Sequence, residues 1–216
     1  VGCRPGDELS GFRRVFHGIL AGIDSSELSM RIRAEEFDVD RRLGDGLTLL
    51  HQAWRSGNLY AAGELMKKGA NPKILTRDGR NGLHILAAQK KSPGNIPSQV
   101  KELVYTHKLD PNLGDKDGAT PLLVAARSCN PRILEALLNV RADVTAADRG
   151  GTTAAHRAAQ GTQAGSIVLE KLKEAGADIS ARDNSGMTPL DFARAAENRQ
   201  TFEILQGWGA SSGKDQ

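Results

Sequence analysis

A short phrase recurs five times along this chain, and its spacing constrains the possible folds more than any other feature. Each copy begins with glycine, has threonine or asparagine two residues later, and continues into apolar residues. The copies are residues 46–51, 79–84, 118–123, 151–156 and 186–191. Their glycines lie 33, 39, 33 and 35 residues apart. Self-similarity at this period indicates a repeat architecture in which each unit is one supersecondary element.

A second phrase, centred on alanine, keeps step with the first. It reads Gly69-Ala70-Asn71, Arg141-Ala142-Asp143, Gly176-Ala177-Asp178 and Gly209-Ala210. Between the phrases, Thr120 and Pro121 offer an N-cap hydroxyl and a proline suited to the first helical position. Farther along, Ile133 and Leu137 have the spacing of one buried helical stripe. We therefore predict two short helices per unit, and the units must stack because one pair cannot bury its apolar side alone.

Two units preserve the repeat pattern especially well. Residues 115–126 with 142–144, and again residues 183–190, follow DxxGxTPLHxAA…GADV. On these motifs the chain resembles the ankyrin-repeat family. The resemblance implies an all-α fold, an ankyrin-repeat solenoid of stacked helix-turn-helix units with protruding β-turn or hairpin loops. It covers residues 43–210, as repeats 43–75, 76–114, 115–147, 148–182 and 183–210.

Both ends of the chain depart from the pattern. We interpret residues 1–42 as a degenerate N-terminal capping repeat, with helices at about residues 9–20 and 24–34, because terminal repeats have one face in water. Residues 211–216 are small and polar, which predicts a disordered tail. The first residue is Val and not Met, so we expect the chain to be a processed or trimmed piece of a longer protein.

Composition excludes several classes of protein. Lys plus Arg number 29 and Asp plus Glu 26, so the net charge is only +3, which disfavours nucleic acid as the partner. The longest apolar runs are short, so we expect no membrane span. Cys3 and Cys129 lie far apart without CxxC spacing. One disulfide is formally possible, but free thiols are favoured, and with them an intracellular reducing compartment such as cytoplasm or nucleus, with an organelle left open.

Two units carry extra residues. The second unit has an insert around residues 92–97 and the fourth has one around 161–165. Such loops can carry recognition, or they can be tolerated drift, since loop length costs little entropy. In addition, Lys108 and Arg141 occupy slots where the family has glycine. If the left-handed backbone persists there, each of these two residues lowers the stability of the fold by about 1 kcal/mol relative to glycine.

Catalytic and metal chemistry are not indicated. His51, His84 and His156 share one slot of the repeat, and stacked helices lie about 8–10 Å apart, too far for one zinc ion with bonds of about 2 Å. The resemblance implies a structural role, in which the ring bonds backbone groups in the turns. The chain has neither a GxxxxGK[ST] phosphate loop nor a GxSxG elbow. The sequence therefore predicts a protein that is not an enzyme and needs no cofactor and no metal.

The resemblance also implies where a partner binds, namely the turn tips and the first helix of each repeat on the concave side. The residues of this chain in those slots are Arg55, Arg77, Asp78, Arg80, Lys90, Lys116, Asp117, Arg127, Arg149, Thr152, Asn184 and Met187. Their basic bias predicts a protein partner with an acidic, extended surface, unless these charges are merely solvated. Trp54 either fills the core or exposes an aromatic anchor.

Three functions follow, in order of preference. The first is a non-enzymatic protein–protein interaction module or assembly scaffold, alone or as a subunit of a larger complex. The second is a regulatory or targeting domain of a longer enzyme, channel or ubiquitin-ligase adaptor. The third is a binder of nucleic acid or anionic lipid, whose affinity should fall steeply with salt; the scarcity of aromatics, at 4%, counts against base stacking.

Overall fold

The computed structural model of the protein describes residues 5–22, 24–89, 95–161 and 163–213. Within these residues the regular secondary structure is helical, apart from an isolated antiparallel bridge between Ala147 and Thr153. The chain divides into two compact units, Val1–Arg77 and Asp78–Gln216. The predicted all-α ankyrin-repeat fold is confirmed.

The first unit contains two helix pairs. Its helices are α1 (Pro5–Ala21), α2 (Ser25–Ala34), α3 (Leu49–Arg55) and α4 (Leu59–Lys67). Helix α1 packs against α2 and α3, and α4 packs against α2 and α3. Trp54 has 0% of its surface exposed, and Val15, Ile32 and Leu65 of the same unit are equally buried. Of the two roles open to Trp54, the structure shows core filling.

A buried carboxylate joins α2 to α4. Glu64 accepts hydrogen bonds from Ser29 Oγ at 2.8 Å, Arg33 Nη2 at 2.7 Å and Lys67 Nζ at 2.7 Å. The bonds from Lys67, Ser29 and Arg33 lower the pKa of Glu64 to about 2. Because both carboxylate oxygens of Glu64 accept hydrogen bonds, two of these donors being cations, the group can be buried without the penalty of a lone charge.

The second unit contains four helix pairs. Its helices are α5 (Gly82–Ala87), α6 (Ile96–Lys101), α7 (Pro121–Ser128), α8 (Pro131–Asn139), α9 (Ala154–Ala159), α10 (Gln163–Glu174), α11 (Pro189–Ala195) and α12 (Arg199–Gly207). The first helices pack in sequence, α5 on α7, α7 on α9 and α9 on α11. The second helices do the same from α6 to α12. The first helices have small buried side chains where they face one another, which allows close packing. These side chains are Ala125, Ala126, Ala158 and Ala159.

A histidine at the start of a first helix links consecutive repeats. The backbone N–H of Asn81 donates to His84 Nδ1 at 3.2 Å, and His84 Nε2 donates to Ala119 O at 3.0 Å. His156 repeats the arrangement, with Thr153 N at 3.2 Å and Met187 O at 3.0 Å. A carbonyl only accepts, so each ring carries its proton on Nε2. Burial lowers the pKa of both histidines, which favours this neutral form.

In the first unit His51 Nδ1 likewise accepts from Thr48 N at 3.1 Å, but its Nε2 donates to a carbonyl of the same repeat, Ile74 O, at 2.9 Å. The structural role that the resemblance implied for these rings is therefore confirmed. The third repeat lacks the ring because Leu123 occupies the slot. Thr120 forms the N-cap there as predicted, but its buried Oγ1 has no hydrogen-bond partner among the described residues.

Left-handed backbone persists where side chains replace the glycine of the family. Lys108 has φ of 57° and Arg141 has φ of 63°, as the sequence analysis anticipated. Cys129 adopts φ of 53° in the turn between α7 and α8. In that turn a Cβ on Gly161 would collide with Cys129 Sγ, so the close approach of these turns requires glycine at 161.

The extra residues of the second repeat are not all in the loop. A π-helix, Glu102–Thr106, follows α6 directly. At its end Leu109 N donates to Leu103 O, whereas Ala142 N donates to Leu137 O in the next repeat, so the closing turn is one residue longer. The predicted insert at residues 92–97 is thus only part of the added length. Its residues 92–94 lie outside the described part of the chain, and 95–97 start α6.

The end of the chain is held by Asp191, which occupies the histidine slot of the fifth repeat. Asp191 accepts from Thr188 N at 3.0 Å, Ser212 Oγ at 2.7 Å and Gly213 N at 2.8 Å. Ser212 is buried. Residues 211–213 therefore differ from the disorder expected from residue 211 onward, and 214–216 lie outside the described residues.

The histidine slot makes a testable prediction about stability. We expect His156→Leu to lower the free energy of unfolding by about 1–3 kcal/mol, because it leaves Thr153 N and Met187 O without their bond. The converse change, Leu123→His, should stay within about 1 kcal/mol of wild type, since the new ring satisfies Thr120 while apolar burial is lost. Urea denaturation measures both; a loss for Leu123→His as large as for Leu123→Ala would contradict this account.

Asp191 predicts a pH dependence. Burial alone would raise the pKa of Asp191, but the bonds from Thr188, Ser212 and Gly213 outweigh it and lower the pKa to about 2. The folded-state value lies below the unfolded one, so the stabilisation is present above about pH 4 and is lost as pH falls toward 2. We expect Asp191→Asn to cost up to about 2 kcal/mol at pH 7 and progressively less below pH 4.

Urea denaturation between pH 7 and pH 3 measures this difference. Glu170→Gln, an exposed charge-matched change in α10, is the control and should run parallel to wild type. Parallel curves for Asp191→Asn and wild type across this range would show that the carboxylate does not hold the chain end.

Candidate functional site

The turn tips of the second unit form one hydrogen-bonded edge. Lys116 N donates to Asp78 O, Arg149 N to Asp117 O, and Asn184 N to Gly150 O, each at 2.9 Å. These bonds place the tips of successive repeats side by side. The side chains of Asp78, Lys116, Asp117, Arg149 and Asn184 are exposed along this edge.

An aspartate inside each turn sets the shape of the tip. Asp115 Oδ1 accepts from the N–H groups of Asp117 and Ala119, both at 3.0 Å. Asp148 accepts from Gly150 N at 2.9 Å and Thr152 N at 3.0 Å in the same way. Burial alone would raise the pKa of Asp115, but the Arg80 guanidinium and these N–H groups hold it below its usual value. Asp115 therefore stays ionised at neutral pH.

Arg80 of the predicted strip, and Arg157 outside it, form ion pairs with these aspartates. Arg80 Nε lies 2.9 Å from Asp115 Oδ2, and Arg157 Nη2 lies 2.5 Å from Asp148 Oδ2. Such pairs serve the turn and leave less charge for a partner. In the first unit Arg55 Nη1 lies 3.8 Å from Asp45 Oδ2, a looser contact.

Other cations are unpaired. Within the described ranges, Lys116, Arg127 and Arg149 form no ion pair. In the first unit Arg77 is exposed, and its side chain lies against Gly46, where a Cβ would collide with it. The sequence provides no basis for distinguishing these cations. The structure separates those that form ion pairs within the turns from those that face solvent.

Three predicted binding residues do not lie on the exposed edge as the structure describes it: one is buried, one is half-buried and one is outside the described residues. Thr152 is only 7% exposed, so little of its surface is open to a partner, and its backbone N–H donates to Asp148. Met187 is half-buried, and its carbonyl accepts the bond from His156. Lys90 lies outside the described residues.

A groove of about 270 Å³ opens between the first helices α5 and α7. Its lining residues are Arg80, Ala88, Val124, Arg127 and Ser128, and we call it the α5–α7 groove. The Ser128 hydroxyl donates to Ala87 O at 2.6 Å, which fixes its proton away from the opening. The groove thus combines an apolar wall with an exposed guanidinium.

Sequence reasoning found Arg80 and Arg127 but missed the apolar wall and Arg157. Arg157 follows directly after the histidine slot, as Gln52 does in the first repeat. Gln52 Nε2 donates to Asp45 at 3.1 Å, and Arg157 donates to Asp148, although these aspartates lie at different positions of their turns. A polar residue in that position was therefore a readable signal for a contact with an aspartate of the preceding turn. Ala88 and Val124 gave no such signal, because small apolar residues occur throughout the first helices.

The described ranges contain neither a metal-binding cluster nor a membrane-spanning helix. No group of three or more His, Cys, Asp or Glu side chains there could hold a metal ion. No helix among them is long and apolar enough to cross a membrane. Cys3 lies outside these ranges, so the free-thiol expectation stays a prediction.

Comparison with known proteins agrees with the geometry. The profile of the family described as ankyrin repeats, three copies, matches residues 50–148 and 85–183. With its stacked helix pairs and bonded turn tips, the chain belongs to the ankyrin-repeat family.

Several known proteins are similar to this chain over most of its length. The chain is 34% identical over 173 residues to palmitoyltransferase AKR1 of Lachancea kluyveri, covering 79% of this chain and 21% of that protein. It is 32% identical over 148 residues to neurogenic locus notch homolog protein 1 of Homo sapiens, covering 68% of this chain and 6% of that protein. For the Xenopus laevis protein of the same name the values are 30%, 185 residues, 78% and 7%. The chain thus spans a small part of the length of these relatives.

The turn aspartates allow a matched test of the edge. We expect Asp115→Ala to lower the free energy of unfolding by about 1–3 kcal/mol, because two N–H groups and Arg80 lose their acceptor. Asp117→Ala, two residues away and exposed, should change it by less than about 0.5 kcal/mol. Urea denaturation compares the two variants; equal losses would show that the tip does not depend on the inner carboxylate.

Proposed function

We propose that this chain is a non-enzymatic protein–protein interaction module that binds its partner along the turn-tip edge and first-helix surface of the second unit. The observation that carries the proposal is the bonded edge of tips with the unpaired cations Lys116, Arg127 and Arg149 beside it. A rigid edge with exposed side chains binds without an ordering cost, which favours recognition. Membership of the ankyrin-repeat family supports the coarser statement that the partner is a protein.

The partner is proposed to present an acidic, extended surface. Arg80 and Arg157 are neutralised by the turn aspartates, but Lys116, Arg127 and Arg149 keep their charge for an incoming carboxylate. Electrostatic complementarity of this kind mainly raises the association rate and excludes wrong partners. We expect the complex to form in an intracellular, reducing compartment.

The alternative is that this module serves a longer enzyme, channel or ubiquitin-ligase adaptor as a regulatory or targeting domain. The match to palmitoyltransferase AKR1 of Lachancea kluyveri favours this reading, because the shared region is 21% of that protein. Sequencing the transcript on both sides of the region that encodes this chain tests it. A catalytic or channel domain in the same reading frame would make the partner-binding surface a part of that protein's regulation.

Charge reversal on the edge tests the proposed surface. We expect Lys116→Glu/Arg149→Glu to lose at least about 90% of the partner that co-purifies with the wild-type chain, because both cations would repel an acidic surface. Native pull-down with quantitative mass spectrometry measures the retained partner. Arg80 is left intact, since its reversal would break the pair with Asp115 and disturb the turn.

The control is Lys101→Glu/Arg132→Glu, an equal change of charge on the second helices α6 and α8. It should retain the partner, and both variants should melt like the wild type. If the edge variant keeps the partner and the control loses it, binding uses the second helices and the proposed surface is wrong. Increasing salt from 50 to 200 mM should weaken binding only modestly, whereas loss by about 10³ or more would point to nucleic acid.

A further inference from the structure

We infer that the α5–α7 groove is a subsite for one glutamate side chain of an extended peptide, with Arg127 as the residue that binds its carboxylate. This inference rests on the proposed function and specifies one contact within it. Neither the family match nor the names of the relatives assign a role to this groove.

Arg127 is the cation at which a carboxylate meets the least competition. Lys116 precedes Asp117 in the chain and lies beside Asp78 through the backbone bond, and Arg149 lies beside Asp117. Charges of both signs therefore alternate along the edge, and their fields partly cancel. Arg127 instead projects from the last turn of α7, and in the described residues no carboxylate lies within ion-pair distance of it.

The other polar groups of the groove do not replace Arg127. Arg80 Nε already binds Asp115, and the Ser128 hydroxyl donates its proton to Ala87 O. The Ser128 oxygen can still accept, so it suits a peptide N–H and not a carboxylate. A bound anion is thereby directed to Arg127, whose planar fork can hold a carboxylate through two N–H groups.

The shape of the groove favours glutamate. Ala88 and Val124 are accessible to solvent and form an apolar wall, against which the two side-chain methylenes of glutamate can pack. Aspartate has one methylene and would bury less apolar surface. A partly enclosed, low-dielectric wall also strengthens the attraction between the guanidinium and the carboxylate.

A second cavity, of about 210 Å³ at the junction of α11 and α12, lacks these properties. Its lining includes Glu197, which repels an anion. Arg199 binds Glu203 at 2.7 Å, and the Arg194 guanidinium lies 5.4 Å from the Phe202 ring centre. The arginines of this cavity thus have partners within the chain, whereas Arg127 in the α5–α7 groove forms no ion pair in the described residues.

The test is an NMR titration of the full chain with a hexaglutamate peptide that has acetylated and amidated ends. We expect saturable shifts of the Val124 methyl and Arg127 Nε–Hε resonances, and no shifts with the matching hexaglutamine peptide. Arg127→Gln should weaken hexaglutamate binding about tenfold, the loss expected for one charge-assisted contact. Arg132→Gln, on the second helix α8, should leave the affinity unchanged. Unchanged amide spectra away from the groove verify that both variants fold.

Three outcomes would overturn the subsite. They are equal shifts with hexaglutamine, wild-type affinity in Arg127→Gln, and shifts confined to Lys116 and Arg149. Each of them leaves the proposed function intact if the edge variant Lys116→Glu/Arg149→Glu still loses its protein partner. An oligothymidylate that moves the same resonances at lower concentration than hexaglutamate would assign the groove to nucleic acid, and would contradict both proposals.

Discussion

In three of the repeats, a neutral imidazole at the start of the first helix is the contact that holds the turns against the helices. His84 and His156 accept a backbone N–H of their own repeat and donate to a carbonyl of the following turn. A protonated ring carries a hydrogen on Nδ1 and could not accept the backbone N–H. Burial disfavours the protonated ring and so preserves this contact. With the turn fixed to the helix, the tips align and the groove between neighbouring first helices has a defined width.

The charged side chains of this protein have two separate roles, one in stabilising the turns and one at the surface. Inner carboxylates such as Asp115 and Asp148 accept backbone N–H groups and engage an arginine, which stabilises a turn that would otherwise strand polar groups. Cations that the turns do not use remain on the surface. Net charge therefore says little about binding here, and the pairing of each individual cation decides what a partner can reach.

The sequence was sufficient for the helix pairs, because they follow from a local pattern repeated several times. The role of the histidines came from the family resemblance, and the left-handed backbone at Lys108 and Arg141 was conditional until the structure showed it. The sequence was insufficient where an outcome depends on a neighbour in space. Arg80 and Arg127 are the same residue type, and only the position of Asp115 separates a structural pair from a free guanidinium. Likewise, the orphaned hydroxyl of Thr120 arises from Leu123, and the π-helix at Glu102–Thr106 absorbs length that sequence spacing assigned to a loop.

Asp191 makes the fifth repeat different in kind from the others. Where His84 and His156 offer a donor to the carbonyl that follows, Asp191 offers only acceptors and is matched by a hydroxyl and an N–H. The units are thus not interchangeable: a copy of this one duplicated into an interior position would set a carboxylate against a carbonyl.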